Sequence, residues 1–469
     1  MKKIIVLYLV SLLSLQVNAQ DKTTISGKFL NCTDLKLELI PSTGNFKDTI
    51  LVKSDGTFSY STTAIKTPFR ANLTNRKQIQ IQLFIAPGYD LYLTADVKDY
   101  KTSRSTLNYL GLGSKTNYYW KELNVTNPDT VKWVQKDENT YLNYLKTNVK
   151  QAENIKKTFS AENKEPFADY FKESLLLDRK FGHLLGIYSM YAYEHSYSWL
   201  QIDQMINKLG YKPLMQEFKD ENNLKSSTFC YLLNEYPFYC DNYNAFPEDS
   251  LVKKKNNYSL YLASKFYSGK TYDFYATQHL ESKLASIYKL DDFNAIQAYI
   301  DKIGNNAVKA SVNTMVATRI KAVMALKAGA TSPLFNLADT SGRFHQLANM
   351  VGKVVYIDLW ASWCGPCKEE TPYLKKIYEK YKGNNKIQII SIASFDAKNR
   401  DRRYEIIKKD EMNWLQLEDT DDSFAKSYQA NFIPRFIIVD KKGNIVDSDA
   451  PRPSDSEKLI EILNREISK

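Results

Sequence analysis

Two cysteines carry the most specific chemistry in this sequence. Trp363-Cys364-Gly365-Pro366-Cys367 sets two thiols three residues apart. The motif follows an apolar run, Val354 to Leu359, that reads as a buried strand, and it opens an amphipathic stretch that reads as a helix. A helix N-terminus offers unpaired N–H groups and a partial positive charge. Both stabilise a thiolate, the nucleophile of disulfide exchange. Cys364, at the helix start, is expected to be the exposed attacker. Cys367, on the same face of the first turn, is expected to resolve the mixed disulfide. Pro366 is tolerated there because its missing N–H has no helical partner in any case. The competing chemistry for two such cysteines is half a zinc site. Zinc needs two further ligands, and the segment offers only His345 beyond the pair. No metal site and no cofactor are expected.

The elements around the motif alternate. After Lys327-Ala328-Gly329-Ala330, strands are expected at Val354–Leu359, Ile387–Ala393, Phe436–Asp440 and Ile445–Asp447. Helices are expected at Thr371–Tyr381, Lys398–Lys409 and Ser423–Gln429, with Ser454 and Glu457 as a capping box for the last helix. This is an α/β sheet with helices on both faces. Residues 23–98 read instead as β. Leu35, Leu37 and Leu39 alternate with Lys36 and Glu38, Asp55-Gly56 signals a hairpin, and Pro87-Gly88 marks another turn. Between them, residues 115–327 place apolar and aromatic residues at helical spacing, as in Trp133, Tyr141, Leu142 and Leu145, enough for about eight helices. The expected organisation is multidomain: a signal peptide at 1–19, an N-terminal antiparallel β-sandwich at 20–110, a central α-helical domain at 111–329 and a C-terminal α/β domain at 330–469.

The chain has 469 residues, five cysteines, four histidines and 33 tyrosines, with a net charge of +11. The length fits about three domains, and so few cysteines exclude a disulfide scaffold. A basic, tyrosine-rich chain raises the question of nucleic acid. The charge is spread thinly, however, and the tyrosines at helical spacing read as core with their hydroxyls reaching the surface. His183, His195 and His279 show no metal-ligand spacing. Cys230 and Cys240 are too far apart to pair on one helix, although Pro237 could bring them together. Cys32 reads as a small apolar residue in the core. Lys2 and Lys3, the apolar run Ile4–Leu15 and Val17-Asn18-Ala19 have the layout of a secretory leader. The mature protein is expected in the periplasm or cell envelope, with no stable membrane span and no nucleic-acid partner.

Residues 330–469 resemble the thioredoxin-fold domain of the TlpA/ResA-type exported thiol-disulfide oxidoreductases. The resemblance rests on Pro333-x-Phe335-x-Leu337, Gly342, Leu347, Gly352-Lys353, Trp360 to Cys367, Glu370-Thr371-Pro372 and Ile433-Pro434. The strand and helix around 387–410 resemble the insert of that branch. Residues 20–110 resemble a β domain of unknown function that often precedes such domains. The resemblance implies that Pro434 is a cis-proline facing the dithiol. It implies that Trp363, Ile433 and Pro434 form the substrate-binding set, with Ile433 pairing to an extended substrate segment. Asp358 matches a buried acid that takes the proton of the resolving cysteine. Burial between Ile357 and Leu359 suits a raised pKa and a general base. Asn is frequent at that position in TlpA/ResA relatives, so two patterns mix here. Glu370 matches an acid near the ResA active site, or else is a solvated helix residue.

The implied activity is protein-disulfide reduction by a Cys364/Cys367 dithiol cycle, with cytochrome c maturation as one setting. Its partners would be disulfide-containing exported proteins and a membrane or periplasmic electron donor. The Gly-Pro pair between the cysteines matches thioredoxin and favours a low potential. Three alternatives stand beside it: a disulfide oxidase or isomerase, a thiol peroxidase, and an envelope-binding protein with a secondary redox domain. The peroxidase requires a threonine where this chain has Ala361.

Overall fold

The computed structural model describes residues 22–469 except 33–34, 44–46, 77–78, 126–137, 160–162, 188–197 and 238–256. The leader at 1–19, Trp133, His195, Cys240 and the side chains of Tyr141, Leu142 and Leu145 lie outside the described residues. So, with Cys240, does its pairing with Cys230. The chain divides into two compact units, Met1–Gln278 and His279–Lys469. The division falls inside the helical stretch.

In the first unit the strands are β1 (Thr23–Leu30), β2 (Leu35–Pro41), β3 (Asp48–Val52), β4 (Thr57–Thr62), β5 (Phe69–Thr74), β6 (Gln80–Ile85), β7 (Asp90–Asp96) and β8 (Asn108–Leu112). They form two four-stranded sheets, ordered β4-β1-β7-β8 and β3-β2-β5-β6. Alternation works as period-2 geometry requires: Leu37 and Leu39 are buried, while Lys36 and Glu38 are not. Side chains from both sheets share one core, including Ile25, Phe29, Leu37, Leu73 and Leu93. Cys32 is partly buried and packs against that core rather than within it.

The hairpin expected at Asp55-Gly56 is not a hairpin. The chain does reverse there, with Gly56 at φ +80°. A Cβ on Gly56 would lie 2.0 Å from the Phe29 carbonyl oxygen. Yet β3 pairs with β2 and β4 pairs with β1. The Pro87-Gly88 turn likewise joins β6 of one sheet to β7 of the other. Turn residues fix a reversal of direction; which edge the next strand joins is decided by the open edge available to it.

Helices Ser114–Val125, Glu138–Thr158 and Ala168–Gly186 add a second core to this unit, where Phe84, Tyr89 and Leu91 meet Trp120, Phe159 and Phe171. The tyrosines of this unit differ from expectation in one respect. The buried Tyr89 and Tyr267 keep their hydroxyls inside, donating to the carbonyls of Pro166 at 2.7 Å and Leu233 at 2.9 Å. A buried phenol needs such a partner when water is excluded. Burial also pushes the His183 imidazole down to about 4, so it is neutral at pH 7. No helix among the described residues is long and apolar enough to cross a membrane.

The second unit contains α1 (Asn294–Asp301), α2 (Asn306–Ala325), β9 (Asn336–Asp339), β10 (Phe344–Gln346), β11 (Val354–Trp360), α3 (Gly365–Tyr381), β12 (Ile387–Ala393), α4 (Arg400–Lys409), β13 (Leu415–Glu418), α5 (Ser423–Ser427), β14 (Arg435–Val439), β15 (Ile445–Asp447) and α6 (Ser456–Ser468). Its seven-stranded sheet runs β10-β9-β13-β12-β11-β14-β15. β11 is central, parallel to β12 and antiparallel to β14, and every residue in it is buried. Its side chains alternate between two cores. Val354, Tyr356 and Trp360 join Leu374 and Ile377 of α3 and Leu459 and Leu463 of α6. Val355, Ile357 and Leu359 join Phe424 and Ala425 of α5.

The capping box expected at Ser454 does not form. α6 starts at Ser456 with Asp455 in the cap position and no side-chain cap bond. The Ser454 hydroxyl is instead given to Glu370, 84 residues away.

Candidate active site

The dithiol sits where β11 gives way to α3. Cys364 is the cap residue of α3, Gly365 and Pro366 begin the helix, and Cys367 closes its first turn. The two sulfurs form a disulfide. The Cys367 backbone N–H points at Cys364 Sγ, 3.2 Å away. That is one of the orphan donors of a helix start, aimed at the sulfur that would carry charge after reduction. The expectation of an exposed attacker needs correction. Cys364 and Cys367 are each only 4% exposed, while Trp363 beside them is 50% exposed. The pair is sunk into the core that also holds Trp360 and Ala361. A disulfide folds both sulfurs inward over the first turn, and the exposed positions of the motif are Trp363, Gly365 and Pro366.

Asp358 lies on β11 with the same parity as Tyr356 and Trp360, so its side chain faces the core containing the cysteines. It is buried, and it does not reach solvent at a strand end. Burial pushes its carboxyl up to about 7. A hydrogen bond from Ser391 opposes that rise, and the charge of Glu370 adds to it. Ser391 is the cross-strand neighbour of Asp358 on β12 and donates to Oδ2 at 2.7 Å. Trp414 Nε1 in turn donates to the Ser391 oxygen at 2.8 Å. The indole fixes the direction of the serine hydroxyl, and the serine fixes the carboxylate.

Glu370 is one turn beyond Cys367 and is buried, not solvated. Its oxygens accept the Ser454 N–H at 2.9 Å and the Ser454 hydroxyl at 2.8 Å, with the Arg452 guanidinium 3.8 Å away. It ties α3 to the segment leading into α6. Ile433 packs against both cores of the sheet. The Ile433–Pro434 peptide is cis. Phe432, just before, is 50% exposed. Cys364, Cys367 and Ile433 are thus gathered in one cluster, Asp358 faces it, and Glu370 turns away to Ser454.

A third buried acid is not legible in the sequence. Asp396, in the loop after β12, accepts the Ser362 N–H at 2.7 Å, the Ser362 hydroxyl at 3.1 Å and Asn399 Nδ2 at 2.7 Å. Its own carbonyl takes a bond from Arg403. Its neighbour Phe395 adopts φ +60°, a conformation costly for a side chain of this kind. Two bonds hold it there: Phe395 N–H to Asp422 Oδ1 at 2.7 Å, and Trp363 Nε1 to the Phe395 carbonyl at 3.0 Å. The loop 394–396 therefore holds the two residues before Cys364. The available sequence signal was Ser394-Phe395-Asp396 directly after a buried strand, where a polar residue at the strand's end is placed to meet the adjacent strand's loop.

Residues 327–461 match the Redoxin family model. The thiol-disulfide oxidoreductase ResA of Bacillus subtilis is 28% identical over 118 residues, which cover 25% of this chain and 64% of that protein. The chain thus spans less than two thirds of that relative's length. The solution structure of a candidate thiol-disulfide oxidoreductase from Bacteroides vulgatus is 39% identical, covering 30% of this chain and 95% of that one, with a TM-score of 0.26. The crystal structure of the thioredoxin domain of a thiol-disulfide oxidoreductase from the same species is 28% identical, covering 30% and 99%, with a TM-score of 0.28. With a C-x-x-C disulfide at a helix start and a buried acid on the preceding strand, residues 327–461 form a Redoxin domain of the thioredoxin superfamily that is similar to the ResA thiol-disulfide oxidoreductases.

Proposed function

We propose that the protein is an exported dithiol reductase of envelope protein disulfides. The observation that carries this reading is the Cys364–Cys367 disulfide, capping α3 and backed by a buried acid. In the reduced enzyme the Cys364 thiolate attacks one sulfur of a substrate disulfide. An enzyme–substrate S–S bond forms, and the other substrate sulfur leaves as a thiolate that takes a proton. Asp358 accepts the Cys367 proton. The Cys367 thiolate then attacks Cys364 Sγ, breaking the mixed disulfide. The substrate leaves with both cysteines reduced, and the enzyme keeps its two lost electrons' worth of oxidation as the Cys364–Cys367 bond. A dithiol electron donor at the membrane or in the periplasm must reduce that bond again.

Trp363 next to Cys364 and Phe432 next to Ile433 offer exposed apolar surface, and the Ile433 backbone pairs with an extended client segment. Residues 20–110 as a β-sandwich and 111–329 as a helical domain would select clients, and a cysteine pair awaiting haem in an apocytochrome c is one client class. Export rests on the leader read at 1–19.

The test is insulin reduction by the mature protein and its Cys364→Ser variant, together with Cys367→Ala as a trap. Loss of turnover in the first and accumulation of mixed disulfides through Cys364 in the second are expected. Retained turnover in Cys364→Ser would place the chemistry elsewhere. A potential near −120 mV, as for the strong oxidant DsbA, would reverse the proposed direction.

A further inference from the structure

The loop that presents Ile433 is fastened at both ends to one side chain outside the sheet. Tyr288 lies between the helix Gly269–Ala285 and α1, within the same unit as the redox site. At the loop's start, the Asn431 N–H points to the Tyr288 hydroxyl at 3.4 Å, and Asn431 Nδ2 donates to the Ala285 carbonyl at 3.1 Å. At its end, the Arg435 guanidinium lies 3.7 Å from the centre of the Tyr288 ring. Phe432, Ile433 and Pro434 stand between these two anchors. A second guanidinium, that of Arg319 on α2, lies 4.9 Å from the same ring.

Both arginines are buried. Arg435 gives Nε to the Ser448 carbonyl at 2.9 Å and Nη1 to the Tyr428 carbonyl at 2.6 Å. Arg319 gives Nε to the Ile287 carbonyl at 2.9 Å. The Nη2 atoms of both lack a hydrogen-bond partner among the described residues. A buried guanidinium with an idle donor is costly unless something negative faces it. The neighbour shared by both is Tyr288, whose ring faces them and whose side chain also hydrogen-bonds Arg319, while the Asp449 carboxylate adds its charge on the Arg435 side. The attraction of a cation to a ring is strongest when water is excluded. Lys289 adds a further tie, 3.4 Å from Asp447 on β15.

We infer that Tyr288 is a positioning residue for substrate docking: it holds the loop Asn431–Arg435 so that the Ile433 backbone is set for an extended client. The segment 279–326 is then a working part of the redox unit. This rests on the docking role given to Ile433 above. It concerns the binding of a protein client and leaves the sulfur chemistry alone.

The experiment uses full-length mature protein with Tyr288→Leu, which removes ring and hydroxyl, and Tyr288→Phe, which removes the hydroxyl alone. Two readouts are taken. In the first, steady-state kinetics with insulin are set against dithionitrobenzoate, a small disulfide that needs no strand pairing. Tyr288→Leu is expected to raise KM for insulin about tenfold, between the sizes of an exposed and a desolvated cation–ring contact, with kcat and the redox potential unchanged. Tyr288→Phe should raise it less. In the second, amide hydrogen exchange at 431–435 should quicken in Tyr288→Leu. Unchanged insulin KM in a folded Tyr288→Leu protein overturns the inference, whatever the exchange shows. So does an equal loss with both disulfides, which marks a general structural effect. If the wild-type protein reduces no insulin, the function proposed above fails. The exchange measurement then decides the anchoring by itself: unchanged exchange refutes it and faster exchange upholds it.

Discussion

Of the three buried carboxylates around the dithiol, Asp358 and Asp396 differ most in their surroundings. Asp358, in the strand floor, faces an apolar core, and among the described residues a single hydroxyl, that of Ser391, donates to it. Asp396, in the loop beside the motif, receives three donors from Ser362 and Asn399. A buried acid with one donor and a second carboxylate nearby has its pKa pushed to about 7, so it can take up or release a proton near neutral pH. An acid whose oxygens are already occupied serves as a strut. The number of donors built around a carboxylate thus separates a group that can move protons from one that holds a loop.

The largest effect that tests this contrast is in Asp358→Asn. The variant keeps the shape and an acceptor for Ser391 but cannot take the Cys367 proton. Its resolving step is expected to slow about 10²-fold. In the wild type that step should accelerate as pH rises through about 7, where the carboxylate forms. Stability should move the other way. The folded chain holds this proton up to about 7, whereas an unfolded chain releases it near 3.9. Folding therefore takes up a proton between those values, and stability falls as pH rises across that window. Above it, Asp358→Asn should be the more stable protein by roughly 2–4 kcal/mol, the gap closing towards pH 4. Urea unfolding at pH 4 and pH 8 measures this. A constant gap at both pH values would mean that the carboxyl is not protonated in the fold.

Asp396→Ala should act on stability and leave the pH dependence in place. It strands the buried Ser362 N–H, at a cost of about 1–3 kcal/mol read from the urea midpoint. If this variant instead shifts the pH limb of turnover, the two acids are not separate in role. The finest test is Ser391→Ala. Removing the one donor that favours the charged form should move the Asp358 limb upward by about one pH unit. An unmoved limb would mean that the hydroxyl does not tune the acid.

What the sequence disclosed and what it concealed follow a physical divide. The floor of the site was legible, because Val354–Trp360 is an apolar run and an acid between Ile357 and Leu359 has nowhere to go but inward. The dithiol was legible because a helix start and a three-residue spacing are local facts. Asp396 was not, since its partner is a backbone N–H 34 residues away. The Ser454 capping box failed for the same reason: a distant carboxylate, Glu370, outcompeted the local helix end for the serine hydroxyl. The burial of Cys364 is not legible, because spacing says nothing of how deeply a disulfide folds into its first turn. At Asp55-Gly56 the turn is legible and its pairing is not, because pairing depends on strands elsewhere in the chain.

That crossing between sheets has a consequence in time. β1 is flanked by β4 on one side and, in parallel, by β7 on the other. Its β4 partner emerges soon after it. Its β7 partner begins only at Asp90, some 60 residues after β1 ends. At 5–20 residues per second of synthesis, one edge of β1 stays open for roughly 3–12 s. A nascent chain in that state cannot complete its first sheet early, and the open edge of β1 stays available to other strands until β7 is made.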